Sequence, residues 1–546
     1  MEQIREIEKV VDKHHLNAAY LKKPFQQAVF DLLRAYEDAN HLSALVDVFK
    51  GGASGLDSIK RDLMDGLNQA LHWVYENKKD EDVVFNFEMD EADYVNTLEF
   101  INDYAIPYSK VCDAYVAYSR NRFTGEVDGK DIFFKTTATQ SMSFSEEMGE
   151  FFEKYGTIEQ YASRVEQIIQ NGRHYIQKVF STIDFSDGRI CYKCDGDAVG
   201  VFRSVADLHW NETAILPSDW AFNDFTLEQY RKCWRELYAL GGLHTLICMN
   251  CKDAITYKDC VIVQKKSTIV SYLCQMIQED DLSEDKINTI LDYITFDPNL
   301  KHGDIMYQPL VVINDWLLFT PSLLSNGNPE RNLVALIQQK NKDKKHFDEV
   351  NQLESLMREQ IEEQVRKRND SIALCNNIKI WQDKQLITDV DFGLYDAKSQ
   401  SVLLCEMKWL LSADASSEVF SREDEVDHGC GQAEISMGYA MVNSHDFMKK
   451  AFDIDNETPI EFFCCVITKA DVRGNNRHVP VISQRKFIQL IESNKEYREI
   501  FESIRNRSYY EPIDNGTEYK DYIFSYAGYT FHVPALIIPD EVLRVN

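Results

Sequence analysis

The chain has 546 residues, 44% of them apolar and 27% charged, with 59 Lys and Arg against 89 Asp and Glu for a formal net charge of −30. That length exceeds one hydrophobic core and predicts roughly two to four domains, while the apolar content excludes a disordered chain. The charge excludes a generally basic nucleic-acid binder, whose affinity comes from releasing counterions. A polyanionic substrate would need a local basic groove, a metal ion or a partner to offset the field.

The opening stretch, MEQIREIEKVVDKHH, is charged and amphipathic, without the apolar core of a signal peptide. Runs such as FFCCVI and DWLLF are far shorter than a membrane span. The expectation is a cytoplasmic protein with no membrane partner, whose 13 cysteines are free thiols, metal ligands or packing residues. Residues 1–180 read as a mainly helical region, with apolar residues three and four apart in QQAVFDLLRAYEDA and TIEQYASRVEQIIQNGRHYIQKVF. The His14–His15 pair reads as solvated helix surface.

Residues 181–265 carry two similar stretches, RICYKCDG and LICMNCKD. Two C-x-x-C turns can present four thiolates tetrahedrally, so Cys191, Cys194, Cys248 and Cys251 are expected to hold one structural Zn2+. A long insert containing Trp210 and Trp220 separates the pairs, and unrelated packing cysteines are the other reading. A mixed connecting region, 266–344, holds strand-like runs in IMYQPLVVINDWLLFTPSLL. It ends in the basic run QQKNKDKKH. There Lys342, Lys344 and Lys345, joined by Arg366 and Lys367 further on, are candidate nucleic-acid contacts, although most such runs are solvated surface.

From residue 345 to 546 the element order becomes legible. The helix DEVNQLESLMREQIEEQVRKR places Val350, Leu353, Met357, Ile361 and Val365 on one stripe. Strands follow at NIKIW, ITDVDFGLYD and SVLLCEMKW, then a helix at GQAEISMGYAMVN and an apolar strand at IEFFCCVIT. That order predicts a mixed sheet with helices on its faces.

The second and third strands carry charges where buried strands carry none. By alternation Asp389 and Asp391 share one face of their strand, with Val390, Phe392 and Leu394 on the other. In the next strand Val402, Leu404, Glu406 and Lys408 share a face. The connecting YDAKSQ turn would bring Asp391 beside Glu406 and Lys408. Burying three charges together is costly unless they neutralise one another or bind an ion. Two carboxylates on adjacent strands suit Mg2+ or Mn2+, which takes oxygen ligands and keeps water and phosphate as others. Such an ion stabilises a phosphodiester in transition, and Lys408 could orient the attacking water.

These residues resemble the PD-(D/E)XK superfamily of restriction-endonuclease-like nucleases: Asp391 stands in the Asp position and Glu406-Met407-Lys408 forms the ExK. The resemblance covers about residues 345–485 and implies a helix, three strands, a helix and a fourth strand. It also implies a catalytic Gln on the following helix, matched by Gln432, and a Glu on the first helix. Glu362 is the choice there, with Glu354 and Glu359 as rivals. No Pro precedes Asp391, a departure from the family pattern. REDEVDH, just before the Gln helix, reads as a mobile solvated loop.

The fold expected is thus mixed α/β: a restriction-endonuclease-like C-terminal core after a mainly helical N-terminal region with a zinc-binding insert. The function expected is a Mg2+-dependent endonuclease acting on DNA, with RNA as the second candidate. The resemblance would suit an anti-phage defence or restriction effector working with a partner protein or a second copy of the chain. The alternative is a non-catalytic nucleic-acid- or protein-binding adaptor with a structural zinc site.

Overall fold

Apolar residues at helical spacing form the long helices Phe25–Lys50 and Ser54–Glu76, and their Leu32, Leu33, Tyr36, Leu67 and Leu71 share one core with Phe100 and Ile101. The computed structural model describes residues 2–50, 54–77, 91–137, 160–186, 189–222, 224–250, 259–277, 282–300, 303–340, 344–368, 372–382, 384–413, 416–455, 458–470, 472, 478–509 and 518–537. His15 is buried and stacks on the Trp73 indole at 4.3 Å, so it belongs to this core and not to solvated surface. Among the described residues no helix is long and apolar enough to cross a membrane.

The chain divides into two units. One comprises Met1–Thr137, Thr157–Lys342 and Asn515–Asn546; the other comprises Ala138–Gly156 and Asp343–Asp514. In the first unit the helical region also carries a hairpin, Phe123–Asp128 with Asp131–Thr136. The last hairpin of the chain, Glu518–Tyr526 with Tyr529–Ile537, joins it: Thr530–His532 pair in parallel with Asp131–Phe133. The expected catalytic region of 345–546 is therefore corrected at its far end, because the final strands complete a sheet of the other unit. The expected divisions at 180 and 265 also fall inside that one unit. The anticipated strands near residue 315 are Leu310–Ile313 and Trp316–Phe319, with Ile262–Lys265 beside them.

The second unit follows the anticipated element order. Helix α1, Lys344–Lys367, precedes strands β1, Ile372–Gln382, β2, Gln385–Asp396, and β3, Ser401–Lys408. Helices α2, Ser416–Val442, and α3, Ser444–Phe452, lead to strand β4, Glu461–Thr468, then to β5, Val481–Ser483, and helices α4, Gln484–Glu492, and α5, Tyr497–Arg505. The sheet order is β5-β4-β3-β2-β1, antiparallel from β1 to β3 and parallel from β3 to β5. Leu353, Met357, Ile361 and Val365 of α1 are buried as the stripe predicts, while the side chain of Val350 lies outside the described residues. On the α2 face Val402, Leu404, Val466, Val426, Cys430 and Ala433 form one core. The overall class is mixed α/β, with helices flanking mixed sheets.

Candidate active site

Strand β3 is buried from Ser401 to Met407, which commits its neighbours to a fixed register. Its ladder with β2 runs from Ser401↔Asp396 to Cys405↔Phe392 and stops there. Beyond that point a side chain takes the next backbone donor: Asp391 Oδ2 accepts from the Met407 N–H at 2.8 Å. The carboxylate satisfies a group that strand pairing no longer reaches, and it ties Asp391 to the segment bearing Glu406 and Lys408. Val390 was expected beside Phe392 on one face. It packs instead with Val402, Leu404 and Val466, because the alternation of β2 is interrupted where the ladder ends. In β1, Asn377 lies between the paired residues Asn376 and Ile378 with a left-handed φ of 50°.

Lys408 Nζ donates to Glu406 Oε1 at 2.7 Å and to Gln432 Oε1 of α2 at 3.3 Å. Glu406 is 4% exposed; burial, followed by repulsion from Asp391, pushes its carboxyl up to about 8 in spite of Lys408. Burial also raises Asp391, against the Met407 N–H and Lys408, which lower it. At Lys408 burial opposes the charge, but Glu406, Asp391 and Glu354 together outweigh it and hold the amine above its ordinary value. One ammonium thus faces several carboxylates, Asp389 among them, and the crowding favours the protonated form of Glu406.

Asp391, Glu406, Lys408 and Gln432 come together, and Glu362 does not. Glu362 accepts from Asn376 and pairs with Arg366 at 3.5 Å. The helix glutamate at the site is Glu354, whose Oε1 accepts from the Trp409 N–H at 3.4 Å, just past Lys408. Loss of water around its carboxyl raises its pKa, with Lys408 as the main opposing influence. The choice of Glu362 is corrected accordingly: eight residues of helix are about 12 Å of rise, which carries Glu362 past the charged strand end. Arg358, one turn after Glu354, donates to Asn377 Oδ1 at 2.8 Å and lowers the proton affinity of both Asp391 and Glu354. Gly429 was also missed. A Cβ there would sit 3.1 Å from Lys408 Cε and 3.4 Å from Glu406 Cγ, so the glycine lets α2 lie directly on the pair. The signal was available in HGCGQ, since a mid-helix glycine costs about 1 kcal/mol and needs a reason.

No protein-family model matches the chain, and comparison with curated proteins and with solved structures gives no match either.

The other expected residues fall as follows. REDEVDH is not a loop: it lies inside α2, and its Val426 is fully buried in the core. Val426, Cys430 and Ala433 are four and three residues apart and form the buried row that holds this charged run on the sheet. Lys342 lies outside the described residues, as do the side chains of Lys344 and Lys345 on the first turn of α1. Arg366 and Lys367 make surface pairs with Glu362 and Glu363, one turn earlier. Of the cysteines, Cys251 lies outside the described residues. Cys191 and Cys194 are exposed, whereas Cys248 is buried in the helix Leu227–Asn250, its Sγ 3.5 Å from His244 Nε2. The second C-x-x-C therefore begins in a helix and not in a turn, and among the described residues no group of three or more His, Cys, Asp or Glu closes on one point.

Proposed function

We propose that the chain is a Mg2+- or Mn2+-dependent phosphodiesterase that cleaves nucleic acid, with DNA as the substrate, and that its second unit acts as PD-(D/E)XK nucleases do. The observation that carries this reading is the junction of Asp391, Glu406, Lys408 and Gln432 where β3 ends beside the middle of β2. The order of helix, three antiparallel strands, helix and parallel strand supports it. The donor set fits the ion: Asp391 and Glu406 offer only oxygens and repel each other, a repulsion that a dication would relieve. Two carboxylates would leave the remaining positions to water and substrate, as Mg2+ prefers.

When bound, such an ion supplies charge stabilisation for the phosphoryl oxygens and a more acidic water. The chain's own groups do the rest. The Met407 N–H fixes Asp391, so the carboxylate needs no reorganisation when substrate arrives. Gln432 and Glu406 hold the Lys408 ammonium in one place, where it can orient water and offset charge on the phosphate. Gly429 keeps α2 close enough for Gln432 to reach. The setting proposed is cytoplasmic.

The test is a cleavage panel of single- and double-stranded DNA and RNA with Mg2+, Mn2+ or EDTA, comparing the wild type with Lys408→Ala. Metal-dependent cleavage lost in the variant is the expected result. No cleavage of any substrate, with zinc bound to the chain, would move the reading to the adaptor.

A further inference from the structure

The hairpin of β1 and β2 continues well beyond the carboxylates. Its strands stay paired through Lys379↔Asp389 and Ile380↔Thr388 to Trp381↔Leu386 and Gln382↔Gln385. At Ile380/Trp381 the register shifts and passes over Ile387. Such bulges re-aim side chains and occur next to active sites. Outside that shift Trp381 is 52% exposed, with Leu386 and Ile387 also open to solvent, and it is the only exposed tryptophan of the chain's seven. Lys450 of α3 donates to the Lys379 carbonyl at 2.6 Å and braces the hairpin from the side.

An exposed aromatic on the edge strand of a sheet, flanked by two further exposed apolar residues, is a surface on which another molecule can sit. The residues around Trp381 indicate which. Gln385 offers an amide, and Lys379, Lys384 and the neighbouring Lys450 outnumber Asp389, which pairs across from Lys379, in a chain whose net charge is −30. Leu386 lies five residues before Asp391 on the same strand, about 17 Å away at the usual rise.

Resting on the phosphodiesterase reading, we propose that this hairpin end binds an unpaired, single-stranded stretch of the substrate, with the Trp381 indole stacked on a base. That base lies a few nucleotides from the phosphate held at Lys408. A duplex brings one negative charge per about 1.7 Å of axis and hides its base faces; an acidic chain with few local lysines is poorly placed to offset it. A single strand has half that charge and open π-faces, and stacking on an aromatic contributes affinity that does not depend on counterion release.

The test uses the full chain carrying Lys408→Ala, so that substrate survives, and a fluorescein-labelled thymidine 20-mer alone or annealed to its complement. Trp381→Ala should weaken single-strand binding about tenfold, Trp381→Phe should restore most of it, and the salt slope should stay unchanged. With Lys408 intact, Trp381→Ala should raise KM for the single strand and leave kcat alone. Single-strand affinity unaffected by Trp381→Ala overturns the proposal, while metal-dependent cleavage in the wild type would leave the nuclease reading standing. Equal loss on the duplex overturns the single-strand assignment, as does a Trp381→Ala effect confined to self-association in sedimentation. Absence of both binding and cleavage for every nucleic acid defeats the underlying reading itself.

Discussion

At the end of β3, Glu406 and Lys408 are in direct contact and Asp391 is bonded to the residue between them, whereas Cys191, Cys194 and Cys248 form no group with one another. Both patterns are short and conspicuous in the sequence. They differ in what surrounds them. Glu406 and Lys408 terminate a long buried strand and Asp391 sits where its ladder with β2 stops, so burial of Val402, Leu404 and their partners sets the register and leaves the charges one place to go. A C-x-x-C spacing fixes only its own two residues and inherits the structure of its flanks. In LICMNC the flank is a helix whose Leu237, His244, Ile247 and Cys248 are all buried, and Cys248 follows that phase into the core.

The comparison breaks most visibly through activity. Asp391→Ala, Glu406→Ala and Lys408→Ala should each lower cleavage about a thousandfold without unfolding the protein, while Cys191→Ser and Cys194→Ser leave the rate unchanged. A near-wild-type rate in any of the first three removes that residue from the site. Two subtler changes sharpen the same contrast. Gly429→Ala should cut the rate about tenfold by displacing Lys408, with little change in Tm because better helix propensity offsets the crowding. Glu354→Gln should cost a similar factor and Glu362→Gln almost nothing; equal effects would mean that neither contacts the site directly.

Stability carries the next effect. The Glu406 carboxyl is raised from 4.5 to about 8, so across that window the folded protein holds a proton that the unfolded chain has lost. Stability should therefore fall as pH rises through it, by at most roughly 1.4 kcal/mol per pH unit from this group. Denaturation at several pH values should show a flatter slope for Glu406→Gln, and in the wild type with saturating Mg2+. Parallel slopes in wild type and variant would show that Glu406 is ionised without cost. The smallest effects belong to the cysteines. Cys248→Ser should cost about 1 kcal/mol through its buried site, and Cys191→Ser should shift neither Tm nor metal content. One zinc per chain, lost on Cys191→Ser, would restore the shared site.

Much of the second unit was legible because its signals are periodic. Four apolar stripe residues, four strands and the ExK each follow from alternation or helical phase. What escaped depends on tertiary contact. Glu354 and Glu362 each follow a stripe residue, Leu353 and Ile361, so the sequence gives both the same flanking signal, and the contact with the Trp409 N–H singles out Glu354. Gly429 looks like a helix break until the lysine beneath it is known. REDEVDH reads as solvent-borne charge until Val426 is seen buried. The terminal strands gave no hint of their partner, since nothing in YTFHVPALI specifies pairing with residues some four hundred positions earlier.

That last pairing has a consequence in time. Domains usually fold in the order in which they leave the ribosome, but here the first unit takes strands from both sides of the second. Phe531 fills a core with Ile7, Val111, Ile132 and Phe134, so that core cannot close until residue 531 has been made. The second unit, contiguous from Asp343 to Asp514 apart from a short upstream segment, is complete earlier. During synthesis the charged strand end is therefore assembled before the sheet that begins nearer the N-terminus.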